Sequence, residues 1–196
     1  MVKSNFDSEN VVTLVSGLPR SGTSMMMKIL EAGGMEVLTD NLRTADEDNP
    51  KGYYEFELVK KMKERQDWLL NAKGKVVKVI SALLKDLPPD FSYKVIFMRR
   101  NMAEILASQR KMLIRRGEPT DSISDEKMEK VFENHLKQVK EYLKSHDNFK
   151  VMYVDYNDVL CDPEPHLDEI NAFMGNSLDK DQMRGVVDTR LYRNKA

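Results

Sequence analysis

The sequence holds a single cysteine, Cys161, and three histidines, His135, His146 and His166, in 196 residues. One cysteine excludes an internal disulfide and a cysteine-rich metal site, and it fits a reducing compartment. No apolar run approaches the ~20 residues needed to span a bilayer. The first ten residues, MVKSNFDSEN, are polar where a secretory leader would carry an apolar core. Neither sign of charge dominates: 31 Lys and Arg face 32 Asp and Glu, for a net charge of −1. Non-specific nucleic-acid binding runs on a basic excess that this chain lacks. These absences lead us to expect a cytoplasmic protein with no nucleic-acid or membrane partner. They also leave an ordinary globular composition, 41% hydrophobic and 32% charged, of a length that suits one domain with one sizeable core. We expect that domain to take in the whole chain, with residues 1–10 as a flexible N-terminus.

One further absence is local. Residues 11–30 read VVTLVSGLPRSGTSMMMKIL, an apolar run, a tight turn and then a helical pattern. A strand, a glycine-bearing loop and a helix N-terminus together make a cradle for a phosphate-like anion. The spacing of Gly17 and Gly22 matches a Walker A loop, yet Thr23 stands where the phosphate-binding lysine would be. Arg20 supplies a cation earlier in the same loop. The backbone N–H groups of about residues 21 to 24 can point inward, with the Thr23 and Ser24 hydroxyls as added donors. Each charge-assisted hydrogen bond there is worth ~1.5–3 kcal/mol. The missing lysine points to a nucleotide whose reacting group is not a magnesium-bound γ-phosphate.

Strands and helices alternate along the rest of the chain, the order of an α/β fold. We expect a P-loop-type three-layer architecture, with a central, mainly parallel sheet and helices on both faces. Strands are expected at 11–16, 35–38, 75–80, 93–98 and 150–155. Helices are expected at 24–32, 55–72, 103–115, 163–174 and in a long segment capped by Ser124, whose apolar stripe includes Val131, Leu136, Val139 and Leu143. A polar loop covers 39–54, long enough to serve as a functional lid. Beyond the first loop, the clearest chemistry lies in 93–111, YKVIFMRRNMAEILASQRK. A strand there delivers Arg99 and Arg100 to the carboxyl edge of the sheet, where ligands of open α/β sheets bind. Ser108 follows Arg100 by about two helical turns and can face the same way, so the pair can hold a second phosphate.

Taken together, these two segments resemble the sulfotransferases that use 3′-phosphoadenosine 5′-phosphosulfate (PAPS). Residues 17–24, GLPRSGTS, are similar to the family's 5′-phosphosulfate loop in its bacterial form, with arginine in place of lysine. Residues 97–109, FMRRNMAEILASQ, resemble its 3′-phosphate motif, with Arg100 and Ser108 on the motif's arginine and serine. Residues 49–55, NPKGYYE, resemble a segment of small bacterial members. The resemblance implies PAPS as donor, its product PAP, no required metal, and a small-molecule or conjugate acceptor bearing a hydroxyl or amine. It places Pro19, Arg20, Ser21, Gly22, Thr23, Ser24, Arg100 and Ser108 at the nucleotide, with Arg20 at the leaving oxygen. Many members carry a Lys-Thr-His segment between the motifs; here Lys78 keeps the lysine and Ile80 stands in the histidine's place. A carboxylate is therefore the expected base. Asp40 matches the spacing of the glutamate in tyrosylprotein sulfotransferases, with Glu55 and Glu57 as alternatives. His135, on an apolar helical stripe, is expected to be a packed core residue. Tyr53, Tyr54 and Phe56 either line an acceptor pocket or anchor the loop, and Arg190 and Arg193 are candidates to close over the nucleotide. Two other readings stay open: a non-catalytic PAP- or PAPS-binding module, and a P-loop kinase or NTPase with Asp155 as its metal-binding carboxylate.

Overall fold

The computed structural model describes residues 10–40, 52–120 and 123–187. Its centre is a parallel sheet of β1 (Val11–Gly17), β2 (Val76–Lys78), β3 (Ser92–Arg99) and β4 (Phe149–Asp155), in the order β2-β1-β3-β4. β1 and β3 are nearly continuous apolar runs because each lies between two neighbours and is covered on both faces. The register pairs Val15 with Lys78, Gly17 with Met98, and Arg99 with Asp155. All four strands therefore deliver their carboxyl ends to one edge, and the candidate residues Arg20, Lys78 and Arg100 lie at or just beyond those ends. The strand expected at 35–38 is reduced to one parallel bridge between Val37 and Val76.

Alternate residues of these strands feed two cores. On one face Leu14, Val77, Val95 and Phe97 pack with Trp68, Leu84, Val139 and Leu143. On the other, Val15, Ile96 and Met98 pack with α1 (Thr23–Ala32), through Met26, Met27, Ile29 and Leu30, and with Val159, Leu167 and Met183. Each fully buried aliphatic side chain here contributes ~1.5–3 kcal/mol. The helices on the second face are α5 (Tyr156–Cys161), α6 (Pro163–Met174) and α7 (Lys180–Gly185). Three layers result, as expected, and among the described residues no helix is long and apolar enough to cross a membrane.

Several elements depart from the sequence reading. The helix expected at 55–72 is instead α2 (Glu57–Lys60) and, after a turn, a 3-10 helix at Asp67–Ala72. The reason lies in the spacing: Met62 and Trp68 are six residues apart, about 240° around an α-helix, so a straight helix would send them to different faces. Breaking the helix buries both in one core. A second 3-10 helix, Ser81–Asp86, follows β2. α3 (Met102–Arg115) and α4 (Asp125–Ser145) form where expected, capped by the Asn101 and Ser124 side chains. Only Val139 and Leu143 of the α4 stripe are fully buried, and Val131 is 56% exposed. α7 is an addition whose signal is present in the sequence: Asp179 accepts from the Gln182 N–H at 3.1 Å, a cap three residues before a glutamine.

Candidate active site

The loop after β1 folds as it does because of its two glycines. A Cβ on Gly17 would sit 2.5 Å from Ser21 Oγ and 2.7 Å from the Met98 carbonyl oxygen, so no other residue fits beside β3. At Gly22, φ is +97° and a Cβ would overlap the Tyr156 ring. Ser21 closes the turn, donating its N–H (3.2 Å) and its hydroxyl (2.7 Å) to the Leu18 carbonyl. These bonds make Ser21 a former of the loop. Gly22 caps α1 without any side-chain hydrogen bond, and the first turn carries no acidic residue. The Thr23 and Ser24 N–H groups stand in the first turn, at the positive end of the helix dipole. That donor set, with Arg20 beside it, fits an anionic phosphate group.

Arg20 has a left-handed backbone, φ 72°, unusual for a residue with a side chain. Both ends of the residue are tied to the second motif. Its Nε donates to Ser108 Oγ at 2.8 Å across 88 residues of sequence, and its carbonyl accepts from Arg100 Nη1 at 3.1 Å. Ser108 is buried in α3. Arg100 lies over the Tyr156 ring, 4.4 Å from its centroid, and donates through Nε to Glu104 at 2.8 Å. The neighbouring Arg99 pairs with Asp155. A cleft of about 510 Å³ opens beside Arg100, lined by Leu18, Ser21, Phe97, Arg99, Leu136 and Asp155 among others.

On the β2 side, Lys78 donates to the Tyr53 carbonyl and reaches Ser24 Oγ at 3.4 Å. The three carboxylates considered as bases share one corner. Asp40 Oδ2 accepts from the Glu57 N–H at 2.6 Å, while the Asp40 N–H donates to the Glu55 carbonyl at 3.3 Å. Lys60 lies 2.5 Å from Glu57 and 3.5 Å from Glu55. Tyr54 donates its hydroxyl to Glu31 at 2.6 Å; burial, then that carboxylate, push its pKa well above the usual phenol range. Phe56 meets Trp68 edge-to-face at 5.6 Å. Tyr54 and Phe56 therefore act as anchors of the loop end.

The model of the sulfotransferase domain family matches residues 12–195. The chain belongs to that family. No curated protein matches it by sequence. Among solved structures, this sulfotransferase-family chain is similar to the Mycobacterium tuberculosis H37Rv sulfotransferase STF1, with a TM-score of 0.58 and 19% identity over 93% of this chain and 72% of that one. Mouse sulfotransferase SULT7A1, solved in complex with PAP, gives 0.54 and 15% identity, covering 94% and 65% of the two chains. The sulfotransferase domain of the Synechococcus PCC 7002 olefin synthase gives 0.53 and 15% over 99% and 86%. At these identities the likeness is one of fold.

Set against the sequence expectations, the family chain brings Arg20, Arg100 and Ser108 into direct contact, and sets Lys78 beside Ser24. Pro19 is exposed on the loop. Asp40 lies with Glu55 and Glu57, as a partner of the α2 backbone. His135, expected in the core, is half-buried at its margin and bonded to Ser81 Oγ at 2.9 Å. Arg190 and Arg193 lie outside the described residues, as do 1–9 of the expected flexible N-terminus and 41–51 of the expected lid. Sequence reasoning gave no site role to Glu104 and Tyr156, which contact Arg100, or to Asn157, which bonds Glu104. For Glu104 the signal was there: it follows Arg100 by four residues with opposite charge, the spacing of a helical ion pair.

Proposed function

We propose that this chain, acting as one domain in the cytoplasm, moves a sulfuryl group from PAPS to a hydroxyl or amine of a small-molecule or conjugate acceptor. The observation that carries this reading is the contact of Arg20 with Ser108 and Arg100, which makes one cationic site of two motifs. PAPS supplies the sulfuryl group and, as its bond to the bridging oxygen breaks, negative charge on that oxygen. Arg20 is assigned to that charge, where a fixed cation favours the transition state. The Thr23 and Ser24 N–H and hydroxyl groups bind the 5′-phosphate, in a loop shaped by Pro19, Ser21 and Gly22. Arg100 and Ser108 take the 3′-phosphate. Lys78, beside Ser24, adds a second cation at the transfer side. Asp40, held by the Glu57 N–H, takes the acceptor's proton. The family resemblance calls for no metal.

A kinase reading fares worse. It needs a carboxylate for magnesium at the end of β4, and Asp155 is paired with Arg99. A thermal-shift comparison separates the two, since a ligand stabilises the state it binds. Selective stabilisation by 3′,5′-bisphosphoadenosine over magnesium-ATP is expected, and the reverse preference would remove the proposal. Transfer of labelled sulfate from PAPS to a panel of phenols, alcohols and amines then separates an enzyme from a binding module.

A further inference from the structure

The arginine assigned to the 3′-phosphate is gripped from behind by a carboxylate. Glu104, capped into the first turn of α3 by Asn101, has a side chain 2% exposed, and that of Arg100 is 7% exposed. Glu104 Oε2 accepts from Arg100 Nε at 2.8 Å, and Oε1 accepts from Asn157 Nδ2 at 2.9 Å. Both oxygens of this buried carboxylate are thus served, as a charge so placed requires. The guanidinium is fixed on three sides: its Nε edge on Glu104, its face on Tyr156, and one Nη1 hydrogen on the Arg20 carbonyl. A planar fork of donors selects an anion by its orientation as well as its charge.

We infer that Glu104, steadied by Asn157, is a positioning residue that turns the Nη edge of Arg100 toward the cleft and so sets the preference for a nucleotide bearing a 3′-phosphate. This rests on the nucleotide reading proposed above. The physics gives the inference a sign. As a bare negative charge, Glu104 would repel a phosphate, and its removal would tighten binding. As a positioning group, its removal loosens binding of the 3′-phosphate alone.

The test is calorimetric titration of 3′,5′-bisphosphoadenosine and adenosine 5′-phosphate against the wild-type chain and Glu104→Ala, Glu104→Asp and Glu104→Gln. The quantity read is the ratio of the two dissociation constants. Glu104→Ala and Glu104→Asp are expected to lower the preference for the bisphosphate by about tenfold, the size of one lost charge-assisted bond, with adenosine 5′-phosphate unaffected. Glu104→Gln keeps an acceptor for Arg100 Nε and is expected to retain most of the preference. If Glu104→Ala does not fold, Glu104→Asp, which keeps the charge but shortens the reach, decides alone. A wild-type preference that is unchanged or stronger in Glu104→Asp, or a parallel weakening of both nucleotides, overturns the inference. A wild-type chain without any preference overturns the nucleotide reading itself, and this inference with it.

Discussion

Arg20 and Arg100 meet across 80 residues because β1 and β3 are paired in a register that sets Gly17 beside Met98, whereas Asp40 and Glu57 meet because a carboxylate caps the backbone of a four-residue helix. The contact between the two arginines is thus written into the sheet. Moving Arg100 relative to Arg20 would mean slipping a strand, which would send its whole buried set to the wrong face. The Asp40 corner is assembled from loop ends through N–H and carbonyl groups, with Val59 of α2 anchoring it to one core. If the proposed function holds, the donor is recognised by the contact that strand register fixes, and the acceptor's proton is taken at the corner that loop ends build.

If the proton leaves on the loop-built side, Asp40→Asn should show the largest effect. The amide oxygen still accepts the Glu57 N–H, so the fold and nucleotide affinity should hold, while turnover falls by ~10²–10⁴. Steady-state sulfate transfer, read beside calorimetric binding of bisphosphoadenosine, checks this. Near-normal turnover would move the role to Glu55 or Glu57. On the sheet-built side, Arg20→Ala should cost ~10²–10³ in turnover. Its bisphosphoadenosine affinity should fall much less, because the loop N–H groups and Arg100 remain. If affinity and turnover fall together, Arg20 only binds, and the two sides would differ in rigidity but share no part of the chemistry.

The same contrast governed what the sequence disclosed. Residues 11–30 and 93–111 could be read because strand, loop and helix signals lie within one short window, and sheet order then brings the windows together. Arg20, Arg100 and Ser108 were legible for that reason. Asp40 could be proposed only from its spacing, since its bond to Glu57 depends on a segment with no periodic pattern. The break between α2 and the 3-10 helix at Asp67–Ala72 was hidden as well. The charged run 60–67 looks helical, and only the demand that Met62 and Trp68 share a core interrupts it. Glu104 was visible as an ion pair but indistinguishable from an ordinary surface pair until its burial was known.

A third change probes the seam holding the rigid side together. Gly22→Ala would place a methyl group against the Tyr156 ring in a left-handed backbone, and should destabilise the fold by about 1–3 kcal/mol. Urea unfolding at equilibrium measures it. A neutral result would mean that the loop and α5 are free to separate, and that the nucleotide side is less rigid than the register implies.

The smallest effect tests whether the segment that follows Lys78 has a brace of its own. His135, on α4, is bonded to Ser81 Oγ at 2.9 Å, tying the 3-10 helix that follows Lys78 to the long helix above the sheet. Burial, and then the nearby Lys85 charge, hold its pKa below the ordinary imidazole value. The unfolded chain therefore takes up a proton there that the folded chain resists. Stability from this site is present above the unfolded pKa near ~6.5 and declines as pH falls through it. Between pH 7.5 and 5.5 the melting temperature of the wild type should fall slightly more than that of His135→Gln, which can keep a hydrogen bond to Ser81 but cannot titrate. If the two fall in parallel, the brace is not held by a neutral imidazole.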